Sequence, residues 1–435
     1  MIQTQKSITI TPKPANRNKA VFIIGVLFFI FGFVTWLNGT LIPFLKLACE
    51  LQTDIQAFLV TFAFYMAYFF LAIPSSFILK RTGYKNGMAL GLAVMAAGSL
   101  IFVPAAMTRQ FPLFLTGLFV QGTGLALLQT ASNPYISIIG PIESAAKRIS
   151  IMGICNKVAG ALSPIILGAI VLKNAGAIEA KVKAATNATE REQLLNELAG
   201  RVIIPYIVIA VVLLVLAIWV SKSSLPEIEA EDEAASSPQT TSKTSVFQFP
   251  HLLLGVLCLF LYVGAEVMAG DAIGTYGRSM GMPLDQTRYF TTFTLLGMLV
   301  GYIVGIFTIP KIISQQKGLM ISAVLGLIFS LAAYFSGGHV AIMFIALLGL
   351  ANALMWPAIF PLAIEGLGRF TKIGSAMLIM GIAGGAIIPL LYGHLKNVPS
   401  VGNNLAFLIC MLPCYAYILY YAIAGHNKRS LPARA

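Results

Sequence analysis

Hydrophobic and polar positions alternate along this chain in long blocks. Twelve apolar runs cover roughly 21–45, 55–79, 87–107, 112–139, 149–172, 202–221, 251–276, 288–310, 318–336, 339–364, 373–395 and 403–424. A helix rises about 1.5 Å per residue and a bilayer core is about 30 Å thick, so each run is long enough to cross. Two of the connections are long. Residues 173–201 are charged and rich in helix formers, which predicts an external amphipathic helix; the triplet Asn187-Ala188-Thr189 inside it matches a glycosylation sequon, a pattern common by chance. Residues 221–245 are acidic, Ser/Thr-rich and Pro-punctuated, the composition of a linker. The pattern predicts an all-α membrane protein of twelve transmembrane helices. Its parts are an N-terminal six-helix bundle (1–220), a cytoplasmic linker (221–245) and a C-terminal six-helix bundle (246–435).

The two bundles share a repeat. Gly160-Ala-Leu-Ser-Pro164-Ile-Ile-Leu-Gly168 in the fifth run is echoed by Gly385-Ala-Ile-Ile-Pro389-Leu-Leu-Tyr-Gly393 in the eleventh, 225 residues later. At the same offset Lys147 falls on Lys372. Glycines and proline in register at equivalent helices indicate pseudo-symmetric halves, with a substrate site between them near the midplane.

Polar residues inside the runs carry the candidate chemistry. The stretch 121–140 (QGTGLALLQTASNPYISIIG) is long enough to span, yet it holds Gln121, Thr123, Gln129, Thr130, Ser132 and Asn133, with Pro134 interrupting the backbone ladder. Such groups at membrane depth cost free energy unless they face protein, water or substrate. Gln129 and Asn133 are four apart and share a helical face. Asn38 with Trp36 in the first run, Asn156 in the fifth, Glu266 in the seventh and Asn352 with Trp356 in the tenth complete the set. Amides and a carboxyl can bond sugar hydroxyls in pairs, and an indole can cover a sugar's C–H face. For either tryptophan the ordinary alternative is core packing or a lipid-facing position.

Three charges lie within the runs: Lys157, Glu266 and, nearer one end, Asp271. Each costs several kcal/mol unless partnered, from about 2.5 upward, and all three are candidates for ion coupling. For Glu266 the plainer reading is a hydrogen-bonded carboxyl holding helices together. For Lys157 it is snorkelling or structural pairing. Asp271 follows Glu266 by five residues, about 140° around an ideal helix, so both line one face only if the helix breaks near Gly270. The plainer reading of Asp271 is a bond to Arg278 or to a helix end.

Composition narrows the class. The 435 residues are 58% hydrophobic and 10% charged, with mean hydropathy +0.85. Soluble domains carry about a quarter charged residues, and nothing here alternates like an outer-membrane barrel strand. A net charge of +13 would suggest nucleic acid in a soluble protein. Here the basic residues occupy short loops, and no nucleic-acid partner is expected. With the N-terminus inside, eighteen Lys and Arg fall on the cytoplasmic side against ten outside, five of those in 173–201. The positive-inside rule then places both termini in the cytoplasm, and the first run is a spanning helix rather than a cleaved leader. Lys80, Arg81 and Lys85 form a basic loop that reads equally as a topology signal or a gating element. Five scattered cysteines (49, 155, 258, 410, 414) read as packing residues, with no metal-ligand spacing. No nucleotide-binding loop is present, and the four histidines (251, 339, 394, 426) lie near run ends, which argues against a hydrolase.

Five motifs together resemble the fucose–galactose–glucose symporter family of the major facilitator superfamily. They are Trp36-Leu-Asn-Gly-Thr-Leu-Ile-Pro43, Leu79-Lys-Arg-Thr-Gly-Tyr-Lys85, Leu128-Gln-Thr-Ala-Ser-Asn-Pro134, Tyr262-Val-Gly-Ala-Glu266 and Thr371-Lys-Ile-Gly-Ser375. The resemblance runs from Phe31 to about Gly393 and is nearer to the hexose and N-acetylglucosamine permeases than to the fucose permeases. It implies the major facilitator fold, alternating access and cation-coupled uptake of a monosaccharide. The fucose permeases carry an aspartate where Gly39 stands and a glutamate where Gln129 stands; both places are neutral here, so their proton mechanism does not transfer directly. The expectation is a monomeric, cofactor-free symporter in a bacterial inner membrane, taking up a hexose such as glucose or galactose with a co-transported proton (H+). Sodium (Na+) coupling, an N-acetylglucosamine or fucose substrate, and a membrane sugar sensor without net transport are the alternatives.

Overall fold

The computed structural model describes residues 14–138, 145–223, 225, 244–309, 312–367 and 370–428. Most of the linker assigned to 221–245 lies outside these, as do Lys6, Lys13, Lys243, Lys311, Arg369, Arg429 and Arg434. The first bundle comprises α1 (Pro14–Thr35), α2 (Asn38–Ala48), α3 (Asp54–Thr108), α4 (Phe111–Ile138), α5 (Ala145–Val171), α6 (Ala175–Ala184), α7 (Ala188–Gly200) and α8 (Ile203–Lys222). The second comprises α9 (Pro250–Gly270), α10 (Ile273–Ser279), α11 (Leu284–Thr287), α12 (Phe290–Thr308), α13 (Gln315–Phe335) and α14 (Gly338–Asn352). It ends with α15 (Met355–Ile364), α16 (Thr371–Met380), α17 (Gly384–Leu395) and α18 (Gly402–Ile423). We call the face carrying α6 and α7 the outer face, following the Lys and Arg count.

Among the described residues, eleven helices are long and apolar enough to cross a membrane, against twelve predicted runs. The difference lies in α3. Its 55 residues would reach about 80 Å if straight, more than twice a bilayer core. They are interrupted at Gly83 (φ 73°, ψ 171°), a conformation that only glycine enters freely. Beyond it the chain turns back, which brings the Leu79 side chain against the backbone of Gly87. Both arms of α3 therefore cross, as the runs 55–79 and 87–107 predict. The predicted single external helix is instead two. Ala185 turns out of α6 with extended angles, and the Asn187 side chain caps α7 by accepting from the Thr189 N–H at 2.9 Å. The sequon asparagine is thus explained as a helix cap.

Burial separates walls from linings. On α8 the residues Ile204, Val208, Val211, Val215 and Ile218 are exposed, as on a helix that turns one side to lipid. Elsewhere the spans are broken. The first bends at Trp36–Leu37, between α1 and α2. The seventh bends at Asp271–Ala272, between α9 and α10. The tenth bends between α14 and α15, and the eleventh passes through a 3-10 turn at Gly381–Ala383. Breaks free backbone carbonyls, which must find partners inside the protein at this depth. Thr291 and Thr294 supply them, donating from Oγ1 to the carbonyls of Gly270 at 2.8 Å and Ala269 at 2.7 Å.

Trp36 locks the first break against the seventh. Its indole is 2% exposed and fits between the bare backbones of Gly160 on α5 and Gly270 on α9; a Cβ at either would overlap the ring. Toward the outer face the bundles are tied by charge. Asp54 pairs with Lys46 and with Lys396 of the second bundle. Glu179 takes Arg278 on both oxygens, at 2.7 and 2.9 Å. Arg288 donates to the Leu172 carbonyl at 2.8 Å, and Thr292 to that of Ala161 at 3.0 Å.

Gly160→Ala should lower thermal stability in detergent by an amount typical of overpacking, about 1–3 kcal/mol. Gly200→Ala, with open space around it, should be neutral or slightly stabilising. Equal effects of the two would show that the Trp36 wedge carries no packing energy. Glu179→Gln should expose the outer side a few-fold more, read as faster labelling of Thr275→Cys in a cysteine-free background. Burial alone would raise the Glu179 carboxyl, but Lys183 and Arg278 outweigh it and hold the carboxyl below its ordinary value of 4.5. A lowered carboxyl contributes its stabilisation above the unpaired value and loses it only as pH falls through the lowered one. The Glu179–Arg278 tie should therefore not respond to pH between about 5 and 8.

Candidate functional site

The bundles meet at mid-height through one buried ion pair. Lys157 on α5 and Glu266 on α9 approach to 2.9 Å, Nζ to Oε1, with side chains 8% and 12% exposed. Lys157 Nζ also stands 4.6 Å from the centre of the Trp36 ring, so the wedge that holds the helix breaks also gives the ammonium a π face. Four phenols lie near Glu266: Tyr262 one turn away, Tyr65 of α3, Tyr302 of α12 and Tyr415 of α18. In water such a pair contributes little. Buried, it is costly to break, about 3–5 kcal/mol when one partner is removed.

A relay of two tyrosines of α3, Tyr65 and Tyr68, leads from Glu266 to Gln129 of α4. Gln129 donates from Nε2 to the Tyr68 hydroxyl at 2.8 Å, and Tyr68 stacks on Tyr65 with centroids 6.5 Å apart. Gln129 and Asn133, one turn apart, are only half-buried. Trp356 is half-buried too, 6.5 Å from the Tyr262 ring and stacked on Phe360. Two amides and one indole plane thus keep part of their surface open. Asn156, next to Lys157, is buried, with its backbone against Gly32. Asn38 is 1% exposed, and its amide oxygen and nitrogen have no hydrogen-bond partner among the described residues.

Four expectations are placed differently. Gln121 is fully buried and donates to Ser99 Oγ at 2.7 Å, tying α4 to α3 inside the first bundle. Asn352 accepts from the Tyr415 hydroxyl at 2.9 Å, tying α14 to α18 inside the second. Both bonds are made within one bundle, and the Asn352 Nδ2 has no partner among the described residues. Trp36 is a wedge beneath Lys157 rather than an open plane. Asp271 does not bond Arg278, whose guanidinium is taken by Glu179. It sits instead at the end of α9, its N–H still bonding the Val267 carbonyl at 2.7 Å, so the 140° offset from Glu266 stands and the break follows it. Sequence reasoning passed over Tyr65, Tyr68, Tyr302 and Tyr415. Fifteen tyrosines are spread along the chain, and hydropathy scores a tyrosine facing a cavity like one in the core.

The Major Facilitator Superfamily profile matches residues 24–393. A glucose/galactose transporter of Brucella abortus is 36% identical over 423 residues, 97% of each chain. The L-fucose-proton symporter of Escherichia coli K12 is 30% identical over 431 residues, again 97% of each. Among solved structures, the major facilitator transporter FucP in its outward conformation superposes with a TM-score of 0.74 at 27% identity, covering 94% of this chain and 98% of that one. Fold, coverage and identity agree: the chain is a multi-pass membrane transporter, not an enzyme, and belongs to the fucose–galactose–glucose symporter family of the major facilitator superfamily.

Proposed function

We propose that this protein takes up a hexose-type monosaccharide, such as glucose or galactose, by cation-coupled alternating access, the proton being the favoured ion. The setting is a bacterial inner membrane with both termini cytoplasmic and the outer face periplasmic. The observation that carries the reading is the Lys157–Glu266 pair. It joins the two bundles at mid-height and is linked to the half-buried Gln129 of α4 through Tyr65 and Tyr68. Moving one bundle against the other must separate or re-pair these charges, so their protonation and the conformational change are linked. The names of the relatives, a glucose/galactose transporter and an L-fucose-proton symporter, support the same class of substrate and ion. With the outer ends tied, this conformation is read as the inward-facing side of the cycle.

Within it, Gln129 and Asn133 hold the sugar hydroxyls and Trp356 covers its apolar face. Asn38 approaches from the first-span break. Each buried amide truncated to Ala should cost roughly tenfold or more in sugar affinity. Gln129→Ala and Asn133→Ala should show this in binding titrations over a panel of glucose, galactose, fucose and N-acetylglucosamine. Gln121→Ala should weaken the fold and leave affinity alone. Unchanged affinity in both α4 variants would move the site elsewhere.

Glu266 is the coupling carboxylate and Lys157 its partner in this state. Glu266→Gln keeps the shape and cannot ionise. In proteoliposomes with an imposed proton or sodium gradient it should lose uphill accumulation and retain part of its counterflow. A variant that still concentrates sugar would make Glu266 structural.

A further inference from the structure

Asp271 is the feature that the Lys157–Glu266 pair leaves unexplained. It is 1% exposed, and neither carboxyl oxygen has a hydrogen-bond partner among the described residues. Its position is where the two broken spans face one another. Oδ1 lies 3.3 Å from the point where a Cβ on Gly39 would stand, so the carboxyl of the seventh-span break abuts the backbone of the first-span break across the interface. The amide of Asn38 and the hydroxyl of Thr40, on either side of Gly39, are also buried without partners. The nearest donors to the carboxyl are the Gly39 N–H and the Tyr65 hydroxyl of α3. The charges facing it are Glu266, from its own span, and Lys157 of α5, which is already engaged with Glu266. Thr291 of α12, which also abuts Gly39, spends its hydroxyl on the Gly270 carbonyl.

A carboxylate in such a place would be a buried charge with no cation of its own and another carboxylate in view. A carboxylic acid in the same place is neutral and can donate to the adjacent amide oxygen. The surroundings close over it only because Gly39 has no side chain and the outer ends of the bundles are drawn together. When those ends part, the two breaks separate and water reaches the carboxyl.

We propose that Asp271 is a proton-binding site that gates the outer closure: the bundles close on the outer face when it takes a proton from that side, and reopen when it gives the proton up. The step is a simple protonation, carboxylate plus proton to carboxylic acid, with water as donor and acceptor. It deepens the coupled-transport reading and rests on that reading only for its place in the cycle. By linkage, the closed state binds one more proton than the open one, so closure is favoured as pH falls. One proton can change the closed-to-open ratio by at most about tenfold per pH unit.

The test needs no sugar. Spin labels at Thr189→Cys and Ser400→Cys, both exposed on the outer face in opposite bundles, report closure by their distance in a cysteine-free background. With native Asp271 the closed fraction should rise as pH falls. Asp271→Asn, permanently neutral, should be closed at every pH. If Asp271→Asn misfolds, Asp271→Ser is the neutral substitute and should behave the same way. A pH response that survives in the neutral variants would overturn the proposal and point to the exposed His339 or His394. Closure driven by sodium at fixed pH would overturn the proton assignment. A sugar-transport reading that fails in the uptake assays while this pH response stands would fail separately, since the two readouts share no ligand.

Discussion

A lysine and a glutamate 2.9 Å apart in the middle of an apolar bundle set the terms for everything around them. Neither could remain charged there alone, since an ion of that size loses several kcal/mol on leaving water even after relaxation. Together they are tolerable, and the tolerance depends on which side of the interface each belongs to. Lys157 is carried by α5 of the first bundle and Glu266 by α9 of the second. The pair is therefore a property of one relative placement of the bundles. Trp36 reinforces that placement, giving the ammonium a ring face at 4.6 Å while its edges fill the spaces left by Gly160 and Gly270.

The helix breaks follow from the same constraint. An unbroken helix satisfies its own backbone and presents only side chains. Opening the first span at Trp36–Leu37 and the seventh at Asp271–Ala272 lets backbone and short polar side chains of opposite bundles come into contact. The cost appears as freed carbonyls, which Thr291 and Thr294 take up. Around the two breaks the carboxyl of Asp271, the amide of Asn38 and the hydroxyl of Thr40 have no partner among the described residues. Gln121 instead spends its amide on Ser99 of α3, and Asn352 its oxygen on the Tyr415 hydroxyl.

Much of this was legible in the chain. Twelve runs, the glycine–proline repeat at 160–168 and 385–393, and the three intramembrane charges survive in the structure because each reflects a large energy: desolvation, backbone satisfaction or close packing. Lys157 and Glu266 were visible as costs, although nothing in their spacing of 109 residues said that they touch. The misplacements had smaller causes. A fully buried amide, as at Gln121, and a half-buried one, as at Gln129, look alike in a hydropathy pattern, and each bonds a side chain of α3. Asp271 was assigned to Arg278 by proximity in sequence, whereas Glu179, about a hundred residues earlier, competes for that guanidinium and wins with two short bonds. The second external helix was hidden because Ala185 is a good helix former, and only the cap at Asn187 marks the restart.

The central claim is that sugar and cation cross together because their sites share one interface. It is tested most directly by running the transporter backwards. A downhill sugar gradient imposed on proteoliposomes, with no ion gradient, should drive a measurable proton flux in the same direction, recorded with a trapped pH indicator and abolished by omitting sugar. Sugar equilibrating across the membrane with neither proton nor sodium following it would contradict the account.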